Sequence, residues 1–161
     1  MGQRELLLVL GAVILFGVAL IAANTGMVSQ NEDSFKREFE HYALSLAKSY
    51  IEEARAKPFF DEALNGGTPA VPDSFTAVAD LGPDGENYPN YDDVDDFNGL
   101  SRIDTARSDY SVTIQVGYVD EPNWETFVTF KTRFKTMKVS VTENHYLNAT
   151  VQLNEVFAYV E

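Results

Sequence analysis

Carboxylates are the residues in this chain best placed to do chemistry. The segment YDDVDDFNG (residues 91–99) sets Asp92, Asp93, Asp95, Asp96 and Asn98 within seven positions. A calcium ion takes roughly 6–8 oxygen ligands from carboxylates, carbonyls and waters, so Ca²⁺ is the ion these five side chains could help to hold. The spacing is not that of an EF-hand, because counting back from Gly99 puts Val94 where the first aspartate should stand. A solvated turn held by Asx hydrogen bonds is the other reading of the same residues, and needs no cofactor. A second carboxylate, Glu5, stands at the head of an uncharged run. Beside apolar residues it is costly unless it stays solvated or finds a positive partner. It either sits in solvent at headgroup level or pairs with a positive group on a neighbouring chain, such as an α-amine.

Other chemistries lack their residues. There is no cysteine, so disulfides, a Cys-ligated zinc, iron–sulfur clusters and thiol nucleophiles are excluded. His41 and His145 are the only histidines, and neither belongs to a Ser-His-Asp pattern or a paired metal site. No phosphate-cradling glycine loop is present, and the chain is expected not to be an enzyme. His41 reads as a helix-surface residue. Trp124, in the Glu121–Thr126 loop, reads as a packed anchor or a ligand platform. Asn148-Ala149-Thr150 matches a glycosylation sequon but falls within an expected strand. Twelve basic against 25 acidic residues give a net charge of −13 and a pI near 4.4. Nucleic acid would need a basic face, and an anionic lipid surface would need one too.

The elements that must position these groups follow from hydropathy. LLLVLGAVILFGVALIAA, residues 6–23, carries no charge. As a helix it spans about 27 Å at ~1.5 Å per residue, enough for a bilayer core. Arg4 precedes it and no basic residue follows until Lys36, so the positive-inside bias puts the N-terminus in the cytoplasm and the remainder outside. A cleavable signal ending near Ala22-Ala23-Asn24 is the rival. Residues 33–57 read as an amphipathic helix, with Phe35, Phe39, Tyr42, Ala43, Leu46, Ala47, Tyr50, Ile51 and Ala54 at spacings of 3 and 4. Pro58 ends it. Asn24-Thr25-Gly26 is a possible kink, and one helix over roughly 4–57 is the simplest arrangement.

Four regions result: a transmembrane or filament-core helix (1–28), its amphipathic half (29–57), an acidic irregular region (58–109) and a sheet (110–161). The irregular region holds five of the six prolines, with turn signals at Gly66-Gly67, Pro69, Pro72, Gly82-Pro83, Asp84-Gly85 and Pro89. Nine acids against Arg102 and Arg107 crowd residues 80–109. Alternation then predicts strands over Tyr110–Val119, Lys135–Thr142 and Leu147–Tyr159, each with one apolar face. The fold class is α+β, the helix stripe covering a small antiparallel sheet.

Glu5, the run Leu6–Ala23, YDDVDDFNG before the first strand, and KTMKVSVT (135–142), in this order, give a layout that resembles the type IV pilin and type II secretion pseudopilin superfamily. The resemblance covers the whole chain in architecture. Members begin with a basic leader ending in glycine, followed by an aromatic residue and a glutamate at the fifth mature position. Here Gly2 is the only candidate cleavage glycine, and cutting after it leaves Glu5 third. Counted from Met1 the glutamate is already fifth, which favours use of the chain unprocessed or nearly so. The helix-breaking proline common in these stems is missing, and Gly11 and Gly17 are the weak points of the run. They mark either local melting or close helix packing.

The resemblance implies a structural filament subunit. It would wait in the cytoplasmic or inner membrane as a single-pass protein, then enter an extracellular helical polymer of copies of itself with the help of membrane assembly machinery. Its assembly residues would be Glu5, Leu6, Leu7, Leu8, Leu10, Gly11, Ile14, Phe16, Gly17 and Leu20. A minor pilin or pseudopilin that primes assembly shares the same layout. A monomeric membrane-anchored binding module is the reading in which Glu5 is incidental.

Overall fold

The computed structural model describes residues 2–60, 74–104, 106–107, 110–145 and 148–160. Met1, Gly66, Gly67, Pro69, Pro72 and Leu147, named above, lie outside the described residues. The protein is α+β: one long N-terminal helix packs against a four-stranded antiparallel sheet. The chain divides into two compact units, residues 1–39 and residues 40–161.

Helix α1 runs without a break from Gln3 to Arg55. No kink occurs at Asn24-Thr25-Gly26. The Thr25 hydroxyl donates to the Ile21 carbonyl one turn back, and Ser34 does the same to Gln30 at 2.8 Å, so both polar side chains stay on the helix. Glu5 lies in the first turn and Arg55 in the last, where each charge opposes the helix dipole. Of the expected stripe, Phe39, Ala43, Ala47, Tyr50, Ile51 and Ala54 are buried, and Tyr42 and Leu46 half-buried. Phe35 is 65% exposed; the buried stripe starts one turn later than the periodicity suggests.

The sheet is a meander, β1 (Ser101–Ile103), β2 (Tyr110–Tyr118), β3 (Phe134–Glu143) and β4 (Thr150–Ala158) in sequential order. β1 falls inside the region expected to be irregular. Three residues are too few to show alternation, and its pairing with Ser111–Thr113 alone defines it. Asn148 lies in the link before β4 rather than in the strand, with φ +46°, a conformation asparagine tolerates.

The register of β2 and β3 builds the core. Val112 faces Val141, Ile114 faces Val139, Val116 faces Met137 and Tyr118 faces Lys135. All eight are buried, so the inward row of β3 begins with a lysine. A smaller cluster of Phe59, Phe60, Phe75 and Tyr118 continues that core, with Tyr159 packed against it. The Tyr118 hydroxyl donates to Thr76 O at 2.8 Å.

On the other face of β2, Gly117 lies under Phe127, and a Cβ there would approach the ring to 2.7 Å. Lys138 Nζ lies over the same ring at 4.4 Å, so moving the ring disturbs that contact as well. Trp124 packs edge-on against Phe134, centroids 4.9 Å apart, and its carbonyl accepts from Thr136 Oγ1 at 2.7 Å; its surroundings are those of a loop anchor. Gly117→Ala is therefore expected to destabilise the fold by about 1–3 kcal/mol through overpacking, read as a lowered melting temperature with unchanged helix content.

Candidate functional site

Two groups of residues carry the chemistry foreseen in the sequence. The first is the head of α1. Glu5 Oε2 accepts the backbone N–H of Gly2 at 3.1 Å, while the Glu5 N–H returns to Gly2 O at 3.0 Å. The glutamate thus caps its own helix N-terminus within one chain. Behind it, every large apolar residue from Leu6 to Ile21 is between 55% and 74% exposed. Leu6, Leu7, Leu8, Leu10, Ile14, Phe16 and Leu20 all belong to this set. Gly11 and Gly17 are half-buried, yet a Cβ at either would stand in open space. Among the described residues, neither glycine answers to a neighbour within the chain. By length and composition α1 is apolar enough to cross a membrane. An apolar surface of this extent is not left in water.

The second group is the acidic turn. Asp95–Phe97 forms a 3-10 turn, and two aspartates cap it reciprocally. Asp93 Oδ1 accepts the N–H groups of Asp95 at 2.7 Å and Asp96 at 3.2 Å. Asp96 Oδ2 accepts those of Asp92 at 2.8 Å and Asp93 at 3.1 Å. Asn98 bridges two segments, donating to Leu81 O and accepting from Val116 N, each at 2.9 Å. Gly99 follows with φ +82°, which glycine adopts without penalty, and its N–H reaches Ile114 O at 3.0 Å. The rings of Tyr91 and Phe97 meet edge-on at 5.1 Å, and Lys57 Nζ reaches Tyr91 O at 2.5 Å. YDDVDDFNG is thereby a clasp between the end of α1 and β2.

The five oxygen donors expected for calcium do not converge. Asp93, Asp95 and Asn98 are engaged by protein groups. Asp92 and Asp96, the latter also a backbone cap, meet Glu86, with one carboxylate oxygen from each of the three within 4.8 Å of the others. Carbonyls and waters would have to supply the remainder of the roughly 6–8 oxygens that calcium takes. Glu86 was not singled out in the sequence, where only its place in the acidic stretch marked it.

The larger omission is Lys135. Its side chain is fully buried, with Nζ 2.5 Å from Asp95 Oδ1, the aspartate side chain being 3% exposed. Nζ also donates to Phe59 O at 2.6 Å. Burial drives the lysine pKa down, opposed by the charge of Asp95. Burial, with Asp95 close by, pushes the Asp93 carboxyl up to about 8. A neutral Asp93 leaves Asp95 as the counter-charge of Lys135. The signal was present, a cation in phase with Met137, Val139 and Val141, and a cation on an apolar row requires a buried anion.

Further contacts hold the loop region to the helix. Tyr42 donates to Asp104, which pushes the phenol up to about 12, with burial adding. Tyr88 donates to Glu53 at 2.9 Å; burial first, and this bond second, push it up to about 12.

Comparison with protein-family models, curated proteins and solved structures finds no match for this chain. The fold itself defines the class: a long apolar N-terminal helix packed on a four-stranded antiparallel sheet is a pilin-like architecture.

Proposed function

We propose that the chain is a non-catalytic structural subunit of an extracellular type IV pilus-like filament, assembling through its N-terminal helix. The observation that carries this reading is the open apolar surface from Leu6 to Ile21, which nothing within the chain covers among the described residues. Before assembly, lipid of the cytoplasmic membrane covers it, with the N-terminus inside. On extraction by membrane assembly machinery, the same surface must be buried again. Bundling with the equivalent segments of other subunits does this, at about 25 cal/mol per Å² otherwise exposed to water. Contacts between different heights of the helix generate an open helical polymer rather than a closed ring. Gly11 and Gly17, with open space above them, allow neighbouring helices to approach closely. Glu5 exchanges its bond to Gly2 for an α-amine of an adjacent subunit, which favours one stagger because a slipped register leaves a buried charge unpaired. The acidic unit 40–161 stays at the filament surface.

The absence of cysteine makes a clean test available. Paired cysteines are introduced, one among Leu6–Leu10 and one among Ile14–Leu20, and intact cells are oxidised. A filament gives a ladder of multimers for at least one pair, while each single-cysteine chain stops at dimers. No pair exceeding dimers would overturn the polymer reading.

A further inference from the structure

The contact between Lys135 and Asp95 holds an amine against a carboxyl in a buried place. Nζ lies 2.5 Å from Oδ1, with side-chain exposures of 0% and 3%. The Phe59 and Tyr118 rings flank Nζ at 4.4 and 5.3 Å, and Phe59 O takes one of its N–H groups. Asp93, itself buried, stands beside Asp95, its Oδ1 accepting the Asp95 backbone N–H at 2.7 Å. An amine, a carboxyl and a second carboxyl thus share a pocket lined by aromatic rings.

We propose that Lys135 and Asp95 become joined through Nζ and Cγ as an intramolecular amide, an isopeptide bond that forms without an enzyme once the chain has folded. One proton passes along the contact from the ammonium to the Asp95 carboxylate. The result is a neutral amine and a neutral acid, which a dry pocket favours over two desolvated charges. The Nζ lone pair attacks Cγ, and the new C–N bond creates a tetrahedral centre. Asp93, as a carboxylic acid, gives its proton to the departing hydroxyl and recovers one from the nitrogen. The C–O bond breaks and one water leaves; nothing is oxidised or reduced. The fold supplies the proximity that makes amide formation intramolecular, and the apolar lining keeps out the water that would reverse it.

Such a bond fits a chain that has no cysteine for a disulfide. It spans 40 residues of sequence and links β3 to the 3-10 turn, restricting the unfolded chain as a disulfide would. The inference stands on the pocket alone and is independent of filament assembly.

Intact-mass spectrometry of the full-length chain, extracted in detergent, tests it. The expected result is a mass lower by one water and a branched proteolytic peptide joining Asp95 to Lys135. An Asp95→Asn chain is expected to lose ammonia instead, and Asp93→Asn to keep its full mass with unchanged circular dichroism. Asp84-Gly85 can also lose water by closing to a succinimide, but that loss leaves no branched peptide and is reversed by mild base. A wild-type chain at full mass, or a water loss without the branched peptide, would overturn the bond. Amide formation undiminished in Asp93→Asn would overturn the proton transfer assigned to Asp93.

Discussion

Lys135→Met is expected to destabilise the folded chain by at least about 3–5 kcal/mol, the loss typical when one partner of a buried ion pair is removed. Methionine fills much of the space of the lysine stem. The loss therefore comes from Asp95, left 3% exposed without its cation, and from Phe59 O, which loses its donor. The damage should spread beyond the pair. Asp95 opens the 3-10 turn whose N–H groups Asp93 caps, and Phe59 belongs to the aromatic cluster with Phe60, Phe75 and Tyr118. Adding Asp95→Leu to Lys135→Met should recover the part of the loss that comes from the unpaired carboxylate, since an apolar pair of similar volume replaces a buried ion pair at little cost, whereas the constraint of a covalent Lys135–Asp95 link stays lost. Thermal unfolding of the full chain in detergent, followed by circular dichroism, measures both. A single variant that melts within error of wild type would show that the pair does not stabilise the fold.

Glu5→Ala is expected to abolish filaments or cut their yield sharply while leaving the subunit folded in the membrane. Within one chain the side chain only caps Gly2, so its removal costs the helix about 0.3–1 kcal/mol near the terminus and leaves residues 40–161 untouched. In a bundle the same change leaves an α-amine of the neighbouring subunit without its counter-charge among apolar side chains, and the stagger is no longer selected. Counting filaments by negative-stain microscopy against membrane-held subunit by immunoblot separates the two effects. Normal filament yield from the variant would remove Glu5 from the assembly contact.

Much of the fold can be read from spacing alone. The uncharged run, the 3-and-4 periodicity up to Pro58 and the alternation of β2 and β3 each reflect a local rule of geometry that survives in one element taken singly. What spacing missed depends on partners far apart in sequence. Lys135 sits on an apolar row only because Asp95, 40 residues away, meets it there. Glu86 joins Asp92 and Asp96 through the path of a loop, not through any repeat. β1 is too short to carry a pattern, and Phe35 continues the helical stripe in sequence but is 65% exposed. The aspartates of YDDVDDFNG were legible as a special turn. Backbone capping was one of two readings the residues allowed; the hydrogen bonds of Asp93 and Asp96 show the caps, and Asp92 and Asp96 also stand beside Glu86. The stem is the opposite case: its residues were legible as apolar, and their exposure within the chain gives that observation its meaning.

The central claim is that this exposed stem builds a polymer outside the cell. Electron microscopy of material sheared from the native cell surface, with mass spectrometry of the N-terminal peptide, tests it most directly. The account predicts filaments that contain this chain with Leu6–Ala23 intact and Glu5 present near its terminus. A chain found only in membranes, or one beginning at Asn24 with the apolar run removed, would contradict it.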